Sequence, residues 1–298
     1  MIPVSFEYHA PKNLAEAITL VAQLGEEGKI LAGGHSLLPM MKLRLASPRH
    51  LIDLGRISDL KYIREADGRI EIGALTTHFE IESSALLMER CPLLPETARE
   101  IGDVQVRNRG TLGGSLAHAD PAADWPATML AVDAEIEASA STGSRLIPAS
   151  EFFVDLLTTA LRGDEILASI RIAPRVARSG HAYLKLRHPA SGYATVGVAA
   201  VLRLDESGAV DEIRVGVTGV GAKAYRATAA EDALRGKSPT AKTIEAAAAH
   251  AAEGIEVNSD LYASSEYRAH LASVYTRRAL ETALERARGT PSPKEREN

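Results

Sequence analysis

Leu31 to Leu45 reads LAGGHSLLPMMKLRL. An apolar run ends in two adjacent glycines, followed at once by a His and a Ser. Ordering two neighbouring glycines costs more backbone entropy than ordering any other pair, so a chain keeps them where a Cβ would be in the way. About eighty residues on, Thr111 to Ser115 repeats the pattern as TLGGS. Successive backbone N–H groups in such a turn can converge on one anion, and a Ser or Thr hydroxyl beside them adds a donor. Each loop therefore suits one side of a pyrophosphate. A single GG pair reads equally well as a turn or bulge, so the pair of loops carries weight only where the two meet in space.

Other nucleotide signatures do not fit. Neither GxGxxG opening a helix nor GxxxxGK[ST] occurs, and GVTGVG at Gly216 to Gly221 reads as a tight turn after a strand. Composition narrows the field further. The chain has 298 residues, 45% hydrophobic and 24% charged, as in an ordinary globular protein with a sizeable core. A net charge of −5 leaves no electrostatic footprint for nucleic acid. The N-terminus lacks a basic region followed by an apolar one, and no apolar run is long enough to span a bilayer, which favours a cytoplasmic place. The lone Cys91 excludes an internal disulfide, a Cys-rich zinc site and an iron–sulfur cluster held by this chain. The nine histidines include no HExxH and no close pair on one helical face, so no metal ligands are nominated. Redox chemistry here needs an organic cofactor.

Along the chain, NLAEAITLVAQLG reads as a helix capped by Asn13 and stopped by Gly25. KILAGG and LIDL (51–54) read as strands. RIEIGALTT alternates as a strand, ALLMERCPLLPETAREIG is helical in parts around Pro92 and Pro95, and DEILASIRIAP alternates up to Pro174. Asp120-Pro121 reads as an N-cap followed by a first-turn proline. HAYLKLRH, ATVGVAAVLRLDESG and AVDEIRVGVTGVG read as three strands, the last two joined by a hairpin at Ser207-Gly208. Ser238-Pro239 reads as a helix start, and Ser264 or Ser265 opens a long final helix with Leu271, Val274, Tyr275 and Leu284 on or near one face. The order predicts an α+β chain in three parts, 1–57, 58–177 and 178–288, with a polar disordered tail over 289–298.

The two glycine loops, in this order and with their flanks, resemble the FAD-binding medium subunit of molybdenum hydroxylases, the carbon monoxide dehydrogenase type most of all. The likeness covers nearly the whole chain. It runs through FEYHAPKNLAEAI, LAGGHSLLPMMKLRLASPRHLIDL, IGALTTH, QVRNRGTLGGSLAHADPAADWPA, GYATVGVAA and SEYRAHLASVYTRRALE. The resemblance implies a PCMH (vanillyl-alcohol oxidase-like) FAD-binding fold. Two α/β FAD-binding subdomains are followed by a C-terminal three-stranded antiparallel sheet with helices.

It implies that Ala32, Gly33, Gly34, His35 and Ser36 wrap the pyrophosphate of FAD from one side, and Thr111, Leu112, Gly113, Gly114 and Ser115 from the other. Ser115 stands where the family often has Asn, with shorter reach. By the same resemblance Asp124 contacts the ribityl or flavin region, and Ile101, Leu167 and Lys185 add contacts. Tyr193 lies beside the flavin ring, and Thr77 and His78 line the same cleft. From the residues alone, Asp124 reads equally as a helix-capping or solvated carboxylate, Lys185 as the exposed face of a strand and Tyr193 as a core tyrosine. SLLPMMKLRLA reads as a helix whose start faces the phosphates.

The resemblance further implies an electron-transfer subunit without catalytic residues or metal ligands of its own. A small subunit with two 2Fe–2S clusters and a large molybdopterin subunit are the implied partners. The acceptor is a quinone, NAD or oxygen, and the assembly is a dimer of heterotrimers. The location is cytoplasmic, free or, through the complex, at the inner face of the cell membrane. Alternatives are the FAD subunit of an aldehyde, purine or N-heterocycle hydroxylase, a stand-alone FAD oxidoreductase, and an assembly subunit without FAD.

Overall fold

The computed structural model describes residues 2–289, so residues 290–298 of the expected tail lie outside the described residues. The chain opens with β1 (Glu7–His9), α1 (Leu14–Leu24), β2 (Gly28–Leu31), α2 (Leu37–Lys42) and β3 (His50–Asp53). The Asn13 side chain accepts from the Glu16 N–H, and Gly25 ends α1 at φ +51°, as the sequence predicts. Ala17, Ile18 and Val21 of α1 pack with Ile52 of β3 in one core. The sheet is parallel, in the order β1-β3-β2, and β2 runs straight into the Ala32–Ser36 loop. The helix expected over SLLPMMKLRLA is shorter than its pattern: α2 stops at Lys42, Arg44 sits at φ +60° and Leu45 is exposed.

The next stretch contains β4 (Ile63–Ala66), β5 (Arg69–Gly73), α3 (His78–Glu82), α4 (Ala85–Arg90), α5 (Leu93–Arg99) and α6 (Val104–Arg109). It continues with α7 (Leu112–His118), α8 (Asp124–Ala131), β6 (Glu135–Ala140), β7 (Gly143–Pro148), α9 (Ala149–Phe152), β8 (Phe153–Asp155), β9 (Thr158–Thr159) and β10 (Ile166–Ile172). Five of these strands form an antiparallel sheet, β4-β5-β10-β6-β7. The RIEIGALTT strand ends at Gly73, because Thr77 caps α3 through a reciprocal bond with Glu80. Pro92 separates α4 from α5, and Pro95 is tolerated in the first turn of α5, where N–H groups have no helical partner. The helix expected from Asp120-Pro121 starts later. Asp120 Oδ1 accepts from the Ala122 N–H at 2.8 Å, closing a turn, and α8 begins at Asp124.

The last stretch holds β11 (Ser179–Arg187), β12 (Ala194–Leu204), β13 (Val210–Thr218), β14 (Tyr225–Arg226), α10 (Thr228–Leu234), α11 (Ala241–Ala248) and α12 (Ser265–Ala287). The antiparallel sheet has four strands, not three, because the two-residue β14 adds an edge beside β13. Asp205 Oδ1 accepts from Ala209 N–H at 2.9 Å, and Gly208 takes φ +83°, making the expected hairpin. The start expected at Ser238-Pro239 moves to Thr240, which shares a capping box with Thr243. Ser264 caps α12. Among the described residues no helix is long and apolar enough to cross a membrane.

The second and third sheets are joined through α8, every residue of which is buried. Its Trp125 and Met129 pack into the core of the five-stranded sheet, and Ala127 and Ala131 face the third sheet with Tyr183. Gly216 of β13 permits this approach, since a Cβ there would fall 2.0 Å from the Ala127 carbonyl oxygen. Overpacking of this kind costs about 1–3 kcal/mol. Gly216→Ala is expected to lower the urea-unfolding free energy by that amount. An unchanged midpoint and slope would contradict the packing.

Candidate functional site

The two glycine loops meet. A Cβ on Gly33 would fall 2.2 Å from the Arg109 carbonyl oxygen and 2.8 Å from Gly110 Cα, and one on Gly114 would lie 3.4 Å from Ala32 Cβ. Gly33 is therefore a glycine because another backbone occupies the space. Gly113 follows the same rule, its Cβ position being 2.6 Å from Ala74 Cβ. The reason expected from sequence was room for a ligand. The observed reason at these two positions is contact between two segments of the chain. Gly34 alone has a conformational need, at φ +80°.

The loops border one cleft of about 650 Å³. Ala32, Gly33, Gly34, His35 and Ser36 line one side, and Thr111, Gly113, Gly114 and Ser115 another. Ile101, Asp124, Leu167 and Tyr193 line it too, with His78, Gly110 and Asp120. Three expected residues do not. Leu112 is fully buried in the core of the second sheet. Thr77 spends its hydroxyl on Glu80 in the α3 cap, and its backbone forms a β-bridge with Thr111. Lys185 lies behind the wall, with its side chain at 0% exposure.

The donors of the two loops differ. In the second loop the amides are already used. Leu112 N–H donates to Thr76 O, Gly113 N–H to Ala74 O and Ser115 N–H to Thr111 O. The Gly114 N–H donates to Thr111 Oγ1 at 3.1 Å. The converging amides expected here are thus absent, and what this loop offers is the Thr111 hydroxyl proton and the Ser115 hydroxyl. In the first loop the N–H groups of Gly33, Gly34, His35 and Ser36 donate to no protein acceptor among the described residues. Free amides in one turn beside a cleft form an anion-binding arrangement.

Asp124 sits where the cleft meets the third sheet, at 5% exposure. Its Oδ1 accepts from Tyr183 Oη at 2.5 Å and from Lys185 Nζ at 2.8 Å, while its Oδ2 accepts from the same Nζ at 3.0 Å. Lys185 Nζ also donates to Gly192 O at 2.9 Å. Burial raises the Asp124 pKa, and the Lys185 ammonium and Tyr183 hydroxyl oppose that rise. The same burial pushes the Tyr183 hydroxyl well above its usual value. Asp124 is neither a capping nor a solvated carboxylate, and Lys185 is not on an exposed strand face. Tyr183 belongs to this group although the sequence pattern does not single it out. It shares a strand face with Lys185 two residues on, and that spacing was the available signal.

At another point of the cleft, His78 Nδ1 accepts from Trp125 Nε1 at 3.0 Å. That bond leaves the proton on Nε2. Burial first, then His35 and Arg107, lower the His78 pKa to about 3. At the mouth, Tyr193 is 41% exposed and in hydrogen-bond contact with Ser36. It is not a core tyrosine. Burial of its ring and the nearby Asp120 raise its pKa.

Comparison with known proteins fits this geometry. Residues 4–175 match the model of the FAD binding domain in molybdopterin dehydrogenase. Residues 181–283 match the CO dehydrogenase flavoprotein C-terminal domain. The chain belongs to this family of molybdopterin-dehydrogenase FAD-binding subunits. The carbon monoxide dehydrogenase medium chain of Hydrogenophaga pseudoflava is 43% identical over 96% of this chain and 99% of its own. The 6-hydroxypseudooxynicotine dehydrogenase complex subunit alpha of Paenarthrobacter nicotinovorans is 37% identical over 97% and 98%. A solved structure of the Hydrogenophaga pseudoflava carbon monoxide dehydrogenase lacking the Mo-pyranopterin moiety superposes with a TM-score of 0.93. It is 45% identical and covers 96% of this chain and 99% of that one. The expected family and FAD-binding fold are thus borne out.

Two measurements probe the buried groups of this family member. Removing one member of a buried ion pair costs about 3–5 kcal/mol, because its partner stays desolvated and unpaired. Lys185→Met is therefore expected to lose that much unfolding free energy in urea. His78 and His181 both carry pKa values lowered by burial to about 3, against 6.5 unfolded. The unfolded chain then binds more protons, so stability falls as pH drops below 6.5. Between pH 6.5 and 5, above the carboxylate range, the double variant His78→Gln/His181→Gln is expected to flatten this slope.

Proposed function

We propose that this chain is the FAD-carrying electron-transfer subunit of a molybdenum hydroxylase. It takes electrons from the 2Fe–2S clusters of a small subunit and passes them to an external acceptor. The observation that carries the reading is the junction of the two glycine loops, where Gly33 to Ser36, whose four amides donate to no protein acceptor among the described residues, line a cleft of about 650 Å³. A pyrophosphate is the group such donors suit. FAD, when bound, supplies a junction between one-electron carriers and an acceptor taking electrons singly or in pairs.

The rest falls to the residues of this chain. The amides of Gly33, Gly34, His35 and Ser36 bind phosphate oxygens, and the hydroxyls of Thr111 and Ser115 donate from the facing loop. His35, exposed on the first loop, adds a ring N–H at the same end. His78 keeps its Nε2 proton and stays uncharged at neutral pH. Ile101 and Leu167 exclude water from the apolar part of the cleft, and Tyr193 covers its mouth. Asp124 holds an acceptor oxygen beside the cleft because Lys185 and Tyr183 fix its carboxylate. The chain needs no nucleophile or general base for this work.

The carbon monoxide dehydrogenase type is the first reading, supported by the 43% identical medium chain. The 37% identical subunit of a 6-hydroxypseudooxynicotine dehydrogenase complex supports an N-heterocycle hydroxylase as the second. A large molybdopterin subunit chooses between them. The complex is a dimer of heterotrimers in the cytoplasm, at the inner face of the membrane where it docks there, with a quinone, NAD or oxygen as acceptor.

The test is co-expression with the small and large subunits, followed by flavin analysis of the purified complex. One FAD per chain is expected. A complex that forms without flavin and cannot be reconstituted with it overturns the reading. Gly33→Val, which drives a branched side chain into Arg109, is expected to abolish FAD retention. Thr111→Val removes a helix cap worth about 1 kcal/mol and is expected to weaken FAD binding while leaving the complex assembled. Full FAD retention in both variants would assign the cofactor elsewhere.

A further inference from the structure

At the far end of the first sheet from the glycine loop, β1 and β3 bring three ligand-type side chains to one point. Glu7 and His9 project from the same face of β1. The parallel register places His50 of β3 opposite Glu7. His9 Nε2 lies 3.1 Å from His50 Nδ1, and that nitrogen lies 3.4 Å from Glu7 Oε2. All three donor atoms fall within 4.8 Å of one another.

Donors at zinc-ligand bond lengths around a tetrahedral ion stand about 3.3 Å apart, and the two short separations here bracket that value. The His50 side chain is 17% exposed and that of Glu7 74%. One ligand is thus held by the fold, and the open side has room for a water. Two imidazoles and one carboxylate suit zinc-like ions and do not suit magnesium or calcium, which take oxygen ligands.

We propose that Glu7, His9 and His50 bind one divalent transition-metal ion of the zinc class, with solvent as the fourth ligand. The ion fastens β1 to the sheet. β1 has only three residues and lies at the sheet edge, so a link from two of its side chains to β3 adds holding that its short ladder lacks. The site is a structural clip. His50 pairs with Gly28 at the start of β2, whereas Leu31, which leads into the glycine loop, pairs with Asp53 at the other end of β3.

The test is calorimetric titration of zinc chloride into the chelator-treated full chain, with His9→Ala, His50→Ala and His50→Gln variants alongside. Saturable binding of one zinc per chain in the micromolar range is expected. Each variant weakens it by at least about tenfold, the scale of effects seen even for changes beyond the ligands themselves. His50→Gln keeps a hydrogen-bonding group at the strand pair while removing the imidazole. It separates loss of the ligand from loss of the fold, which circular dichroism monitors. Zinc is expected to raise the thermal unfolding midpoint of the unaltered chain but not of the variants, and magnesium chloride to give no binding heat. Absence of saturable micromolar binding overturns the proposal, as does equal zinc binding by the unaltered chain and all three variants.

Discussion

The approach of Gly33 to the backbone of Arg109 and Gly110 is the constraint on which the cleft depends. At 2.2 Å from a carbonyl oxygen, the position of a Cβ on residue 33 is already occupied. The first sheet ends in one loop, and α6 leads into the other, so their backbone contact sets the distance between two separately built units. Any side chain at 33 would push them apart and widen the cleft. Among the described residues, the first-loop amides have no protein acceptor and the second-loop amides are spent, which makes the arrangement asymmetric: the second loop is tied down by its own hydrogen bonds.

A second joint lies across the cleft. Asp124 begins α8, Lys185 and Tyr183 belong to β11, and Gly192 precedes β12. The Asp124 carboxylate thus joins α8 to β11, and Lys185 extends the link to the Gly192 carbonyl. A buried ion pair adds little net stability over an apolar contact of similar shape. What it does add is direction, since a carboxylate held by three bonds from two fixed donors, Tyr183 and Lys185, has few alternative orientations. It also joins the part of the chain holding the glycine loops to the third sheet. Neighbouring bonds reinforce the joint. The Ala194 N–H donates to Ala122 O, and the Thr218 hydroxyl reaches both Pro121 O and Ala123 O.

Much of this was legible in the sequence. The Asn13 cap, the Gly25 stop and the Ser207-Gly208 turn are local signals, read correctly because short-range chemistry decides them, and of the two serines offered for the start of the last helix the structure uses Ser264. The two GG loops were found by pattern, and their family by resemblance. The misreadings at the cleft share a cause. Lys185 alternates with leucines and looks solvated, yet the same alternation places it with Tyr183 on a face covered by α8. Leu112 and Thr77 stand beside cleft residues in sequence, but a helix start turns successive side chains in different directions. Gly33 and Gly113 looked like room for a ligand when they are contacts between strands of chain. The meeting of His9 with His50 depends on the register of two strands separated by a helix, another strand and a second helix, and no local pattern encodes that.

The Trp125 bond to His78 has a consequence for the electrical character of the cleft. An imidazole whose Nδ1 is engaged by an indole N–H, and whose pKa lies near 3, presents a dipole and not a titrating charge. Around neutral pH His78 itself keeps the same charge, so its own contribution to the potential in the cleft does not follow the surrounding proton concentration. His78 therefore serves the cleft as a fixed N–H donor and not as a group that gains and loses charge.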